Sequence, residues 1–368
     1  MLRKAIVLAL AISLFMSLNL VMAQDEAETV VEETAIQFID LTGTGTDPDA
    51  EVSSLVWYND TLLLITENPF IYAEDGDVGA FFALEKEDIL DYLASDGAEA
   101  LEPYRVPLLG EDILDAVGGF AVAFDGFEAA AITTQLGLFV DDRIYLTIEA
   151  DTVSASDPSM RSYVVSGAIA PDLSSITLDL NNFVEIPVQS DFNNMSYESL
   201  FVMDGQLMAI YEANIESVVE DNVAYAINLS TGELSEVPMP ALPYRITDTT
   251  SVDENGVFYA INYFFPGEGF LGTDEDAFFA EFGRGETQTV YGQGINGDNP
   301  EWGFVERILA FQVSDSGIEL TGDAPINIQM TDDSNGRNWE GIVRLDDMGF
   351  LIVTDRFPST LLGFVPAE

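Results

Sequence analysis

Acidic residues recur at fixed places in this sequence. Glu51 and Glu67, Glu128 and Glu149, Glu198 and Glu212, and Glu340 and Asp355 stand at the two ends of similar segments, with Asn68, Asn214 and Asn262 beside them. If each segment is a hairpin, its first residue lies across from its last, so each pair meets at one end. Two carboxylates about 6 Å apart repel by roughly 3 kcal/mol at an effective dielectric near 20. Several converging on one opening must be protonated, well solvated or neutralised by a cation. Oxygen ligands without histidine select calcium or magnesium, and calcium tolerates the irregular shell that a ring of loops offers. The spacing therefore predicts a calcium site made from Glu67, Glu198, Glu212, Glu340 and Asp355. A solvated acidic rim is the plain alternative in a chain with 65 Asp+Glu.

Arginine sits close to these ends. Arg245 precedes Thr247 by two residues, Arg337 precedes Glu340 by three, and Arg356 follows Asp355 directly. The planar guanidinium fork suits carboxylate or phosphate, so the three read as an anion-binding corner or as local partners of neighbouring acids. Trp339, beside Glu340, is a candidate pocket wall, whereas Trp57 reads as core. The run from Asp332 to Arg337 has the flavour of a calcium loop but lacks the spacing and terminal Glu of an EF-hand, and reads as a turn.

Composition limits what else these residues can do. With no His and no Cys, the chain has no Ser-His-Asp triad, no thiolate nucleophile, no disulfide and no zinc site of the usual kind. Catalysis is left to carboxylates, hydroxyls, Arg, Tyr or a hard metal. A formal net charge of -53 repels phosphate backbones and anionic lipid, so neither nucleic acid nor a membrane surface is an expected partner. Hydrophobic content of 48% with 24 Phe is nonetheless far above that of a disordered acidic chain, and predicts a folded protein. Lysine occurs only at Lys4 and Lys86, a pattern that fits salty surroundings or general solubility.

Residues 1–23 read as an export signal: Arg3-Lys4, an apolar run from Ala5 to Met16, and Val21-Met22-Ala23 before an expected cleavage after Ala23. A secreted or periplasmic protein follows, without a membrane anchor, since no second apolar stretch of about 18 residues occurs. Residues 24–34 read as a flexible acidic arm and 35–368 as one domain, with order beginning in the alternating run Ala35–Leu41.

The elements that must position the acids are repeats. Ser53–Asn68 and Glu198–Asn214 align without a gap from Ser54 on Ser199 to Glu67 on Glu212. Glu340–Arg356 and Thr247–Asn262 are further copies, and Phe127–Glu149 a looser one with an insertion near Thr133 to Val140. Most copies are followed by two more strand-like runs, for example Val223–Leu229 and Glu233–Pro240. Four strands per unit is the arithmetic of a propeller blade. The predicted fold is thus an all-β propeller of five or six four-stranded blades, five favoured, with a β-sandwich or β-solenoid as the alternative. The last unit has one strand left after its hairpin, and Ile36–Leu41 can supply the missing outer strand and close the ring. A short helix is expected at Glu85–Leu93 and a long loop over one face at 263–301.

The stretch from Asn338 to Pro358, with Leu361-Leu362-Gly363-Phe364 after it, resembles the closing motif of the esterase-like phytase propellers: N-x-E-G-[LI], a D-x-G turn, and a strand ending in [ST]-D. Tyr197–Leu200 and Glu212–Asn214 are similar to internal repeats of that family and of gluconolactonase-type and SdiA-regulated propellers. The resemblance implies an extracytoplasmic propeller that hydrolyses phosphate or carboxylic esters with calcium, and motif matching carries Glu340 and Asp355 over. On that reading calcium held by Glu198, Glu212, Glu340 and Asp355 polarises the ester and activates water, while Arg356 and Arg337 receive the developing anion. Extreme acidity departs from a handler of highly phosphorylated substrates. A glycosidase using two of the same carboxylates, and a non-catalytic propeller binding a small ligand or an extracellular protein through the 263–301 loop, are the other readings.

Overall fold

The chain is seen in a computed structural model that describes residues 29–367, apart from 96–98, 121, 135–140, 155, 158, 216, 220, 274–275, 289–303, 331–335 and 358. The expected signal segment, residues 332–335 of the calcium-like turn and residues 274–275 and 289–301 of the long loop lie outside the described residues. Among the described residues no helix is long and apolar enough to cross a membrane.

Each repeated segment forms the hairpin its residues suggest. Ser199–Met203 pairs with Gln206–Ile210 around Asp204-Gly205, both at positive φ (51° and 75°), the conformation that a two-residue turn between twisted strands requires. Val52–Tyr58 pairs with Thr61–Thr66, Val122–Thr133 with Arg143–Thr152, Arg245–Thr249 with Val257–Phe264, and Trp339–Leu345 with Gly349–Thr354. Two further strands follow each hairpin. Gly79–Glu85 and Tyr104–Leu109 extend the first, Met160–Ile169 and Ile176–Ile186 the second, Val223–Asn228 and Leu234–Pro238 the third, and Val305–Ser314 and Gly317–Leu320 the fourth. The first two groups join edge to edge, Leu108 beside Ile176, into one eight-stranded sheet whose two end strands return to lie against each other. In the last group Leu362–Pro366 is followed outward by Gln37–Ile39, so the two ends of the chain share a sheet.

The leading strands of the five groups neighbour one another in a closed cycle, the arrangement of a β-propeller. The core lies between the groups. Leu63, Phe81, Phe127 and Ile148 fill the space between the first and second; Tyr197, Leu207, Ala129 and Val164 that between second and third; Phe201, Met208, Phe258 and Phe311 the next. Trp339, Ile342, Ile261 and Ile308, and then Leu55, Leu64, Val343 and Leu351, complete the cycle.

Asp248 stitches the leading strands together. Its Oδ2 accepts from Ser54 Oγ (3.2 Å), Ile342 N–H (3.0 Å) and Leu55 N–H (3.5 Å), its Oδ1 accepts from Thr249 N–H (2.8 Å), and Ala130 N–H donates in turn to Ser54 Oγ (3.3 Å). Burial pushes this carboxyl up while the four donors pull it back.

One expectation is corrected. Residues 29–34 of the arm are not free: Val30–Val31 runs parallel to Arg284–Gly285, Thr34 bridges Ile328, and Glu33 accepts from Thr287 N–H and Oγ1. An acidic, aperiodic stretch still carries backbone donors and acceptors, and here a neighbouring strand satisfies them. The helix begins at Lys86 and ends at Leu93, and a second, unexpected one at Ile113–Gly118 is capped by Asp112.

Candidate functional site

A cavity of about 590 Å³ is lined by side chains from all five groups of strands. Nine of the acids and arginines singled out from the sequence line it: Glu51, Glu67, Glu128, Glu149, Glu198, Arg245, Glu340, Asp355 and Arg356. Hairpin spacing does not point to Asp125, Glu268, Phe124, Tyr263, Phe265 and Phe357, which line it too.

Bulges aim these side chains. The leading strands shift register between Val52 and Ser54, between Phe127 and Ala130, between Ile246 and Thr249, and between Trp339 and Gly341. A bulge places two residues opposite one and turns a side chain out of the regular alternation. Glu128 and Glu340 both sit in such a bulge. Glu340 is not directly across from Asp355, as the sequence spacing predicts: the register from Leu345 and Gly349 to Gly341 and Val353 already leads it toward Thr354, and the bulge then sets Trp339 opposite Thr354, with Asp355 N–H donating to Asn338 O (3.1 Å). Likewise Glu51 accepts from Glu67 N–H (2.8 Å), one residue short of the expected Asn68.

The side formed by the first two groups is a carboxyl cluster without an arginine of its own. Gly126 faces Glu149 across its hairpin. A Cβ on Gly126 would lie 2.2 Å from Glu67 Cγ and 2.6 Å from Glu128 Oε1, so the missing side chain makes the room in which two carboxyls meet. Burial, then Glu51, Asp125 and Glu149, push the Glu67 carboxyl up to about 9. Burial, then Glu212 and Asp125, push Glu149 up to about 8, with Arg245 pulling the other way. Glu128 is raised well above the ordinary range by burial and by Glu67 and Glu149. Oε1 of Glu149, a residue 5% exposed, has no hydrogen-bond partner.

The side formed by the third and fourth groups is organised by Arg245, 7% exposed. Its Nη1 lies 2.5 Å from Glu212 Oε2 and 3.5 Å from Glu198 Oε1, and its Nη2 and Nε hold Glu268 at 2.5 and 3.0 Å. Arg245 is thus a clamp on three glutamates, one of them from the long loop. Glu212 is fully buried behind the cavity wall, where it also accepts from Ser196 N–H (2.7 Å); burial raises it to about 7 against the pull of Arg245. Glu198 is raised well above the ordinary range by burial and Glu212, and its Oε2 has no partner.

Between these sides stand Glu340 and Asp355. Asn338 Nδ2 donates to Glu340 Oε1, and Asp355 Oδ1 accepts from Phe357 N–H (2.7 Å). Burial and then Asp355 raise Glu340 well above the ordinary range; burial also raises Asp355, against the donors around it and Arg356. Arg356 pairs with Glu51 at the exposed rim.

Arg337 and Trp339 do not line the cavity. Arg337, 2% exposed, gives its backbone N–H and guanidinium to Glu306 (2.7 and 2.6 Å) and Nη2 to Gln329 O (2.8 Å), and the fully buried Trp339 donates Nε1–H to Glu306 Oε2 (2.8 Å). Their role as substrate contacts is corrected to that of a buried ion-pair network, because the bulge at Glu340 sends its neighbours inward.

Of the five expected calcium ligands, Glu67, Glu198, Glu340 and Asp355 line the cavity and Glu212 stands behind it. Their chemistry suits a hard cation, but among the described residues no group of three or more such side chains is close enough to hold a metal ion. The donors fit calcium; their spacing does not make a coordination shell.

No protein-family model matches this chain, and no curated protein matches it. Solved structures similar to it include a glucose dehydrogenase, 12% identical over 90% of this chain and 99% of that one, with a TM-score of 0.40. A soluble aldose sugar dehydrogenase from Escherichia coli is 14% identical over 90% of this chain and 99% of its own, at 0.41. An exo-beta-1,3-galactanase from Phanerochaete chrysosporium is 9% identical over 92% and 64%, at 0.45. Likeness of this degree assigns neither a family nor an activity to the chain.

Proposed function

We propose that the protein is a hydrolase on a five-bladed β-propeller, the eight-stranded sheet being two blades joined at their outer edges, and that the acidic cavity is its active site. The observation that carries the reading is the pair Glu340 and Asp355. Both face the cavity, burial and the second carboxyl hold the proton on Glu340, and the Phe357 N–H and Arg356 favour the charge on Asp355. Burial raises both carboxyls, but only Asp355 has donors and a guanidinium that favour its charge, so Glu340 suits the acid role and Asp355 the base. Glu340 donates its proton to the leaving oxygen of an ester or glycoside; Asp355 takes a proton from the water that attacks the other side of the breaking bond. The two products leave with the elements of water divided between them, and the protons return through solvent. Arg356 receives developing negative charge at the rim. The resemblance of the segment 338–358 to hydrolytic propellers supports the same residues.

Carboxylic esters and glycosides suit this cavity better than phosphate esters, which the surrounding acids repel. Calcium, the counter-charge that the sequence suggests, enters as a ligand to be titrated and not as part of the mechanism. A screen of chromogenic carboxylic esters, glycosides and phosphoesters tests the proposal. Glu340→Gln and Asp355→Asn are each expected to lower kcat by about 10²–10⁴-fold with the fold intact. Turnover unchanged in both variants overturns it. Hydrolysis of no class by the unaltered protein, with or without calcium, leaves the non-catalytic binding propeller.

A further inference from the structure

Among the described residues no group of three or more acids has the arrangement of a metal site, which raises the question of what the open oxygens of the cavity recognise. At about 590 Å³ it has the size of a small-molecule site. Its two arginines are already engaged, Arg245 by Glu198, Glu212 and Glu268 and Arg356 by Glu51. Two buried carboxyl oxygens in its wall, Glu149 Oε1 and Glu198 Oε2, accept no hydrogen bond of good geometry from the described residues, and they belong to different groups of strands. Acceptors of this kind call for donors that the protein does not itself provide. The lining also includes Phe124, Tyr263, Phe265 and Phe357, whose faces attract organic cations and cover methylene groups.

Resting on the reading of this cavity as the substrate site, we propose that it recognises an organic cation with two or more ammonium groups, of the polyamine or polyamino-sugar class, one ammonium on Glu149 and another on Glu198 with the carbon skeleton against the aromatic residues. An ammonium group needs only one or two acceptors at each point, so spaced carboxyls serve it where they do not make a metal shell. An anionic ligand meets the like charge of the ionised acids here, whereas a cation can take the place of the protons that burial holds on the others.

Isothermal titration of spermine into the full mature protein, in salt high enough to suppress loose counter-ion binding, tests this. Saturable binding at a low fixed stoichiometry is expected, weakened about ten- to hundredfold in Glu149→Gln/Glu198→Gln. It should be unchanged in Asp88→Asn/Asp91→Asn, which removes exposed acids from a remote helix. Equal weakening in both double variants, binding without saturation, or calcium binding more tightly than spermine at the same residues overturns the proposal. Circular dichroism of each variant establishes that it folds, and Glu149→Asp, which keeps the charge, should restore part of the affinity if the first variant misfolds. The two proposals fail separately. Spermine binding without hydrolysis of any substrate removes the hydrolase alone, whereas hydrolysis of neutral esters or glycosides without spermine binding removes this inference alone.

Discussion

The two sides of the cavity handle buried negative charge in opposite ways. Around Arg245, three glutamates share one guanidinium whose reach covers strand, hairpin end and loop. Around Gly126, Glu67, Glu128 and Glu149 share a space that no arginine of their own blades enters, and burial holds protons on them. An ion cluster of the first kind stabilises while all its members are present; a carboxyl cluster of the second kind is held together by protonation or by a cationic ligand. The difference teaches that one side is tied together by a guanidinium, with Glu198 Oε2 left open at its edge, and the other by protons that a ligand can displace.

Substitutions on the two sides should therefore both destabilise, by different mechanisms and different amounts. Arg245→Met strands the buried Glu198 and Glu212 and the half-buried Glu268, and is expected to cost about 3–5 kcal/mol of stability by chemical denaturation. If it costs no more than loss of the rim arginine, the contrast between the two sides fails. Gly126→Ala forces a methyl against Glu67 and Glu128, with an expected cost of about 1–3 kcal/mol. If spermine binds in the cavity, the same variant should also bind it more weakly.

The pH dependence sharpens the comparison further. Glu67 and Glu149 keep protons in the folded state up to about 9 and about 8, against 4.5 in the unfolded chain. Between those values the folded state holds more protons than the unfolded one, so stability falls as pH rises through that window. Denaturation midpoints measured across it at high salt should decline in the unaltered protein, less steeply in Glu67→Gln, and less steeply again with spermine bound. A midpoint that rises with pH contradicts the proton-held cluster. The smallest effect is expected at Arg356, whose side chain is 65% exposed: Arg356→Gln should change stability by at most about 0.5 kcal/mol while lowering turnover.

Much of the fold is legible because hairpins announce themselves locally. Turn residues such as Asp204-Gly205, and the alternation in Ile36–Leu41, specify pairs of strands whose edges then have a single consistent partner. The gathering of Glu67, Glu198, Glu340 and Asp355 was also legible, since repeated hairpins stacked in a ring bring like ends together. Gly126 beside Asp125 and Glu128 was an available signal for a bulge or close approach, and it marks the carboxyl cluster. The partners were not legible. Trp339 stands as near Glu340 in sequence as Arg356 stands to Asp355, and Arg337 only two residues further, yet both turn inward to Glu306, 33 and 31 residues away.

The sequence by itself determined that this protein would be a β-rich, strongly acidic fold with carboxyls at the hairpin ends and no histidine or cysteine chemistry, because composition and period-two patterning act locally and uniformly. Only the tertiary structure decided which carboxyls are compensated. That depends on bulges of one residue and on a guanidinium reaching acids 33 residues before it in Glu212 and 23 after it in Glu268. Coulomb energy and desolvation change over a few ångströms, a distance that spacing along the chain does not encode.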